Sequence, residues 1–94
     1  MYWYYNTFTK PDDPQTCLAY TQSAFASFNL IVRLTEGYTT VASAADNSVF
    51  VQVTCVPQAQ DTWVVVTTFS DDNNVAETTQ NNVRTDIQTT VRID

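Results

Sequence analysis

The fold is decided by the stretch SVFVQVTCVPQAQDTWVVVTTF, residues 48–69. Within residues 48–56 a valine or cysteine occupies every second position, which is the period of a β-strand with one buried face. Pro57 ends this strand because proline has no N–H to donate to the ladder. Residues 63–69 are almost continuously apolar, which predicts a central strand. The connection at 57–61 has the length of a hairpin loop, so we expect these strands to be antiparallel.

Three further segments have strand character. Residues 2–9 are rich in aromatic and β-branched strand formers, and residues 38–43 form another short strand. Residues 30–36 have two interpretations: an extension of the preceding helix as far as Gly37, or a short strand that ends in a turn there. Two adjacent β-branched residues in that segment favour the strand.

Two segments carry helix signals. Asp13 can accept hydrogen bonds from first-turn amides, and Pro14 loses no needed bond at the first helical position, which predicts a helix over 14–28. Asn29 suits the left-handed conformation that closes such a helix. Residues 70–72 start a second helix in the same way. Its apolar stripe consists of Ala76, Thr79, Val83, Ile87 and Val91.

The order of these elements predicts an α+β fold. We expect a two-layer sandwich, with a mostly antiparallel sheet and two helices packed on one face. A chain of 94 residues fits one domain, which we assign to residues 1–94. With 44% hydrophobic residues it has enough apolar surface to offset the chain entropy lost on folding.

The composition excludes several kinds of function. Without histidine, the chain cannot by itself form a Ser-His-Asp triad or an imidazole-ligated zinc site. Its net charge is −6 and its four cations are scattered, which argues against binding nucleic acid or an anionic membrane surface. Its apolar runs are far shorter than the roughly 20 residues of a membrane span. We therefore expect no cofactor, no nucleic acid partner and no membrane insertion.

The two cysteines are either buried free thiols or one structural disulfide. Cys17 flanks the apolar stripe of the first helix, and Cys55 lies on the valine face of its strand. If that face is the core, both sulfur atoms point into the layer between helix and sheet, which favours a disulfide. A disulfide indicates an oxidising compartment, so we expect a periplasmic or secreted protein. Because the first residues show no signal-peptide pattern, the chain is either cytosolic or a mature form whose leader has been replaced by methionine.

The order of these features resembles small exported bacterial α+β domains of unknown function. The resemblance is carried by residues 17–28, 49–57 and 63–83: a helix beginning near a cysteine, a strand ending in Cys-x-Pro, an apolar strand, and a terminal helix with an acidic start. Such domains commonly have a glycine after the first helix, where this chain has Phe28 and Asn29. The resemblance implies export and an α+β fold with one helix-to-strand disulfide, and it implies no chemistry.

Three groups of side chains could carry chemistry, and each has a structural explanation. The carboxylate pairs at 12–13 and 71–72 could act as acid and base, but both precede predicted helices, where capping explains them. Residues 71–74 with Glu77 could hold calcium, but they lack the spacing and the glycine of an EF-hand. Lys10 could form a Schiff base, but we expect it to be solvated in a proline-bounded turn. We therefore predict no catalytic residue and no metal site.

The remaining feature is the aromatic first strand. Tyr2, Trp3, Tyr4 and Tyr5 place rings on both faces, so packing one face against the helices exposes either Trp3 and Tyr5 or Tyr2 and Tyr4. Exposed Tyr and Trp suit binding to a protein or a sugar; otherwise a second copy or a further domain covers that face. We interpret the chain as a non-enzymatic exported module for protein interaction or self-association, with these four residues as its candidate surface. The alternatives are an acidic inhibitor of an enzyme and, less favoured, a small hydrolase.

Overall fold

The computed structural model describes residues 1–91, which form a five-stranded sheet with two helices against one of its faces. In chain order its elements are β1 (Tyr2–Lys10), α1 (Pro14–Ser27), β2 (Ile31–Glu36), β3 (Thr39–Ser43), β4 (Val49–Pro57), β5 (Thr62–Ser70) and α2 (Asn73–Thr89). Every strand pair is antiparallel, and the strand order is β1-β5-β4-β3-β2. The predicted α+β fold, with both helices on one side of the sheet, is confirmed.

The β4–β5 hairpin is the centre of the core, as its alternating valines predicted. The two strands pair without a break from Val49 opposite Ser70 to Pro57 opposite Thr62. The side chains that point toward the helices are fully buried, and they include Val51, Val53, Val64 and Val66. Because β5 lies between β4 and β1, both of its edges are paired, which agrees with its nearly continuous apolar sequence.

Both predicted helix starts are confirmed by their caps. The Asp13 side chain accepts a hydrogen bond from the Thr16 N–H at 2.7 Å, and the Asp72 side chain accepts one from the Val75 N–H at 3.1 Å. The first helix closes at Asn29, whose φ of 58° is the left-handed conformation expected there. That reversal prevents the helix from continuing into residues 31–36. They form the edge strand β2, so the helical alternative for this segment is wrong.

The two cysteines form a disulfide that joins helix α1 to strand β4. The sulfur atoms of Cys17 and Cys55 are 2.07 Å apart, and the Cα atoms are 6.1 Å apart. Both residues are 0% exposed, and they belong to the core cluster between the helices and the sheet. The prediction that both sulfur atoms point into this layer is confirmed.

Lys10 is buried, so the prediction of a solvated lysine is wrong. It is the last residue of β1, only 5% exposed, and its ammonium donates to the main-chain carbonyls of Gln88 at 3.2 Å and Thr90 at 2.7 Å. These carbonyls lie at the C-terminal end of α2, where the helix dipole is negative. The same ammonium lies 5.1 Å from the centre of the Tyr20 ring and 3.9 Å from an Asp12 carboxylate oxygen. Lys10 therefore ties β1 to the end of α2.

Gln80 makes a second polar contact between α2 and the sheet. It is 4% exposed, and its hydrogen-bonding surroundings fix the orientation of its amide. The nitrogen donates to the Val66 carbonyl and the oxygen accepts from the Asn6 N–H, both at 3.1 Å. One side chain thus bridges the main chains of β1 and β5 from the helix layer.

We expect Gln80→Leu to lower the free energy of unfolding by about 2 kcal/mol, because it leaves buried main-chain groups without this polar partner. Urea denaturation followed by circular dichroism measures the change. The matched control is Asn81→Leu, an exposed position on the same helix, which should change stability by less than about 0.5 kcal/mol. Equal losses in the two variants would contradict a specific role for the buried amide.

Candidate functional site

The candidate site is the sheet face that the helices leave uncovered, called the open face below. Side chains alternate along each strand, and residues directly opposite each other in neighbouring strands share a face. The paired registers therefore assign every strand residue to one side of the sheet. The open face comprises Trp3, Tyr5, Thr7 and Thr9 of β1; Trp63, Val65, Thr67 and Phe69 of β5; Phe50, Gln52, Thr54 and Val56 of β4; Thr39, Val41 and Ser43 of β3; and Ile31, Leu34 and Glu36 of β2.

Aromatic rings form a row across one end of the open face. Trp3 is paired with Phe69, and Phe69 with Phe50, so three adjacent strands each contribute a ring. Tyr5 stacks on Trp3, with ring centres 5.5 Å apart. Trp3 is 58% exposed and Tyr5 is 62% exposed, so these rings present most of their area to the surroundings. Trp63 adds another exposed ring toward the opposite end of the face.

Between and beyond the rings, the open face carries uncharged side chains. Thr39 and Thr54 share a hydrogen bond between their hydroxyl oxygens at 3.0 Å, and Leu34 is 53% exposed. Within residues 1–91, the charged side chains on this face are Glu36 and Arg33, both on the edge strand β2. Arg33 reaches the face from a bulge, donating from Nε to the Ser43 hydroxyl at 2.9 Å. A chain of net charge −6 thus keeps one large surface almost free of charge.

The structure divides the four residues of the predicted surface between the two sides of the sheet. Trp3 and Tyr5 lie on the open face, whereas Tyr2 and Tyr4 pair with Ser70 and Thr68 on the helix side. The Tyr4 hydroxyl donates a hydrogen bond to the Asn73 side-chain oxygen at the start of α2. The open face therefore presents Trp3 and Tyr5, one of the two pairs that the sequence allowed, but Tyr2 is still 50% exposed on the helix side.

Several open-face residues were not identified from the sequence. They are Phe50, Trp63, Phe69, Ile31 and Leu34. Strand alternation carried a usable signal for Phe50, because the valines beside it already marked the opposite face as the core. For Ile31 and Leu34 no such signal existed, since the assignment of their segment to strand or helix was still open.

Three of the four predicted carboxylates make structural contacts, and the fourth, Asp71, is exposed. Asp13 and Asp72 cap the two helices, and Asp12 lies beside the Lys10 ammonium.

Hydrogen bonds from the side chain and the backbone N–H of Ser48 hold the pKa of Asp46 below its ordinary value. Such a carboxyl is a poor general acid at neutral pH, because it is ionised.

Among residues 1–91, no three His, Cys, Asp or Glu side chains are grouped so that they could hold a metal ion. In the same part of the chain, no helix has both the length and the apolar character needed to cross a bilayer.

A surface hollow of about 540 Å³ lies at the aromatic end of the open face, between Phe50, Phe69 and the start of α2.

No family model matches this chain, and no curated protein matches it. What the structure shows of the features that the resemblance implied is the disulfide between helix α1 and strand β4.

Proposed function

We propose that this protein is a non-enzymatic, exported interaction module that binds another protein surface through its open face. The observation that carries the proposal is the composition of that face: clustered exposed Trp, Tyr and Phe, and charge confined to one edge. Interface cores are enriched in aromatic residues and depleted of Lys, Glu and Asp. A sheet face that contacts water, by contrast, ordinarily carries polar and charged side chains.

The energy available from covering the open face supports binding. A large apolar side chain contributes about 1.5–3 kcal/mol when it is fully removed from water. Trp3, Tyr5 and Leu34 are each more than half exposed, and Phe50 and Trp63 are 39% and 40% exposed. Patches of this kind on a folded protein mark interaction sites or aggregation hazards. A partner that covers the rings removes the hazard and gains the burial energy.

The disulfide supports the exported location. Disulfides persist in oxidising compartments and are rare in the cytosol, and this one is completely buried in the core.

For the acidic-inhibitor alternative, a polyanion mimic would need its carboxylates on one surface. Within residues 1–91 they are spread over the turns, strand β2 and helix α2. For the hydrolase alternative, three of the four carboxylates predicted as acid and base serve as caps or lie beside Lys10, and the fourth, Asp71, is exposed near the Met1 amino group. Neither alternative has a specific observation in its favour.

Site-specific photo-crosslinking tests the proposal. With Gln52, an exposed residue in the middle of the open face, replaced by benzoylphenylalanine, we expect illumination of the intact producing cells to yield a discrete protein adduct. The control places the same group at Gln22, which is exposed on α1 in the helix layer, and should give no comparable adduct. Adducts of equal yield from both positions, or none from position 52, would overturn a binding role for the open face.

A further inference from the structure

We infer that the occupant of the open face is a second copy of this chain, packed sheet against sheet with the helix layers outermost. The inference rests on the proposed function, because it names the partner of the same surface. In this arrangement the two sheets lie about 10 Å apart and cross at about 30°, as in other aligned sheet packings. The same patch serves both copies, so the contact is self-complementary and closes as a dimer.

The distribution of charge favours a second copy over a charged partner. A charged group buried against the open face would lose its hydration, and the strands β1, β3, β4 and β5 offer it no charged partner there. The complementary surface must therefore be uncharged and rich in apolar groups. The open face of another copy meets that requirement, and it is present at the same concentration as the first.

The carboxylates on helix α2 would repel those of a second copy only weakly. Apart from Glu36, the carboxylates within residues 1–91 lie in turns at the ends of the sheet or on helix α2. Sheet-to-sheet packing places each α2 on the far side of its own sheet, two layers of about 10 Å from the other copy's sheet. That separation exceeds the Debye length of about 8 Å at physiological salt, so repulsion between the helix layers is largely screened.

The size of the open face fits a stable dimer. Five strands about 4.8 Å apart span about 24 Å, and a nine-residue strand spans about 30 Å. Since β2 and β3 are shorter, with six and five residues, the face covers on the order of 600 Å² of flat area. Two such faces bury on the order of 1,200 Å², which is the lower end of the range for specific interfaces.

Sedimentation equilibrium of the full chain, over about 1–200 μM, tests the inference. We expect the wild type to form a dimer. We expect Gln52→Lys to weaken dimerisation by about 100-fold or more, because it buries two uncompensated ammonium groups in the middle of the contact. The control is Gln22→Lys, which makes the same change of side chain and charge on the outer helix layer and should alter the dissociation constant less than about 2-fold. Position 52 is exposed, so both variants should keep the wild-type circular dichroism spectrum.

A second variant tests the contribution of the stacked rings. Trp3→Ser combined with Tyr5→Ser removes two exposed side chains from β1, and we expect dimerisation at least about 10-fold weaker than in the wild type. A dimer that survives both Gln52→Lys and this double variant would overturn the inference, since the copies would then pair through another surface, such as a sheet edge.

The remaining outcomes separate failure of the inference from failure of the proposed function. A wild-type monomer at 200 μM, together with a photo-adduct from position 52 whose added mass is that of a different protein, overturns the second copy and supports the binding role. A monomer that also gives no adduct from position 52 overturns both. An adduct of twice the chain mass, together with a dimer sensitive to Gln52→Lys, supports both.

Discussion

Replacing Cys17 and Cys55 together by alanine lowers the free energy of unfolding by about 4 kcal/mol. The disulfide closes a loop of 38 residues, and in the chain-entropy model a loop of that length contributes about this much by restricting the unfolded chain. Small domains are stable by only about 5–15 kcal/mol, so the variant should lose a large fraction of its stability. Urea denaturation of the oxidised wild type and of the variant measures the difference.

The control for this prediction is chemical reduction. Reduced wild type should unfold at nearly the same urea concentration as the double-alanine variant, and reductant should leave the variant unchanged. Thiol titration of the denatured, unreduced wild type should find no free thiol, since both cysteines are paired. A loss below about 1 kcal/mol would contradict a stabilising role for the bridge and would remove one support for export.

Lys10→Met lowers the free energy of unfolding by about 3 kcal/mol, the second large effect that the structure predicts. Methionine fills a similar volume, so the loss reports mainly the ammonium and its hydrogen bonds to the Gln88 and Thr90 carbonyls. Hydrogen bonds to charged groups contribute about 1.5–3 kcal/mol, and the part-buried carbonyls are left without this donor. The ammonium also lies near the Asp12 carboxylate and the Tyr20 ring. We therefore expect the loss in free energy of unfolding to exceed the contribution of one hydrogen bond.

Hydrogen exchange locates the effect of Lys10→Met. The amides in the last turn of α2 should exchange faster in the variant, because their helix end is no longer attached to β1. The control is Arg84→Met, which removes an i,i+4 hydrogen bond to the exposed Gln88 side chain and should cost less than about 1 kcal/mol. Similar losses in the two variants would show that the carbonyl contacts of Lys10 do not stabilise the fold.

The burial of Lys10 could not be predicted from its neighbours in the sequence. Its neighbours, two prolines and two aspartates, predicted a turn that includes Lys10, whereas the structure places Lys10 in β1 and the turn directly after it. They carried no information about the end of α2, which lies about 80 residues later in the chain and brings the Gln88 and Thr90 carbonyls to the lysine. Gln80 is a similar case, since an amide in a polar helix gives no sign that it will bridge two strands.

The candidate site was predicted in part, for a comparable reason. Strand alternation showed that the aromatic residues of β1 must divide into two pairs, but it did not show which pair lies on the helix side. The choice depends on the register between β1 and β5, where Tyr4 lies opposite the buried Thr68 and Trp3 lies opposite Phe69. The aromatic row across three strands follows from that register.

The sequence by itself determined what depends on near neighbours: the strand periods, the two helix starts at Asp13 and Asp72, and the closure of α1 at Asn29. It also placed Cys17 and Cys55 on faces that could meet, because a helix stripe and a strand face are both local properties. Only the tertiary structure decided the strand order, the face that stays open and the burial of Lys10. Each of these depends on contacts between segments far apart in the chain, and local sequence patterns do not record which distant segment will be the partner.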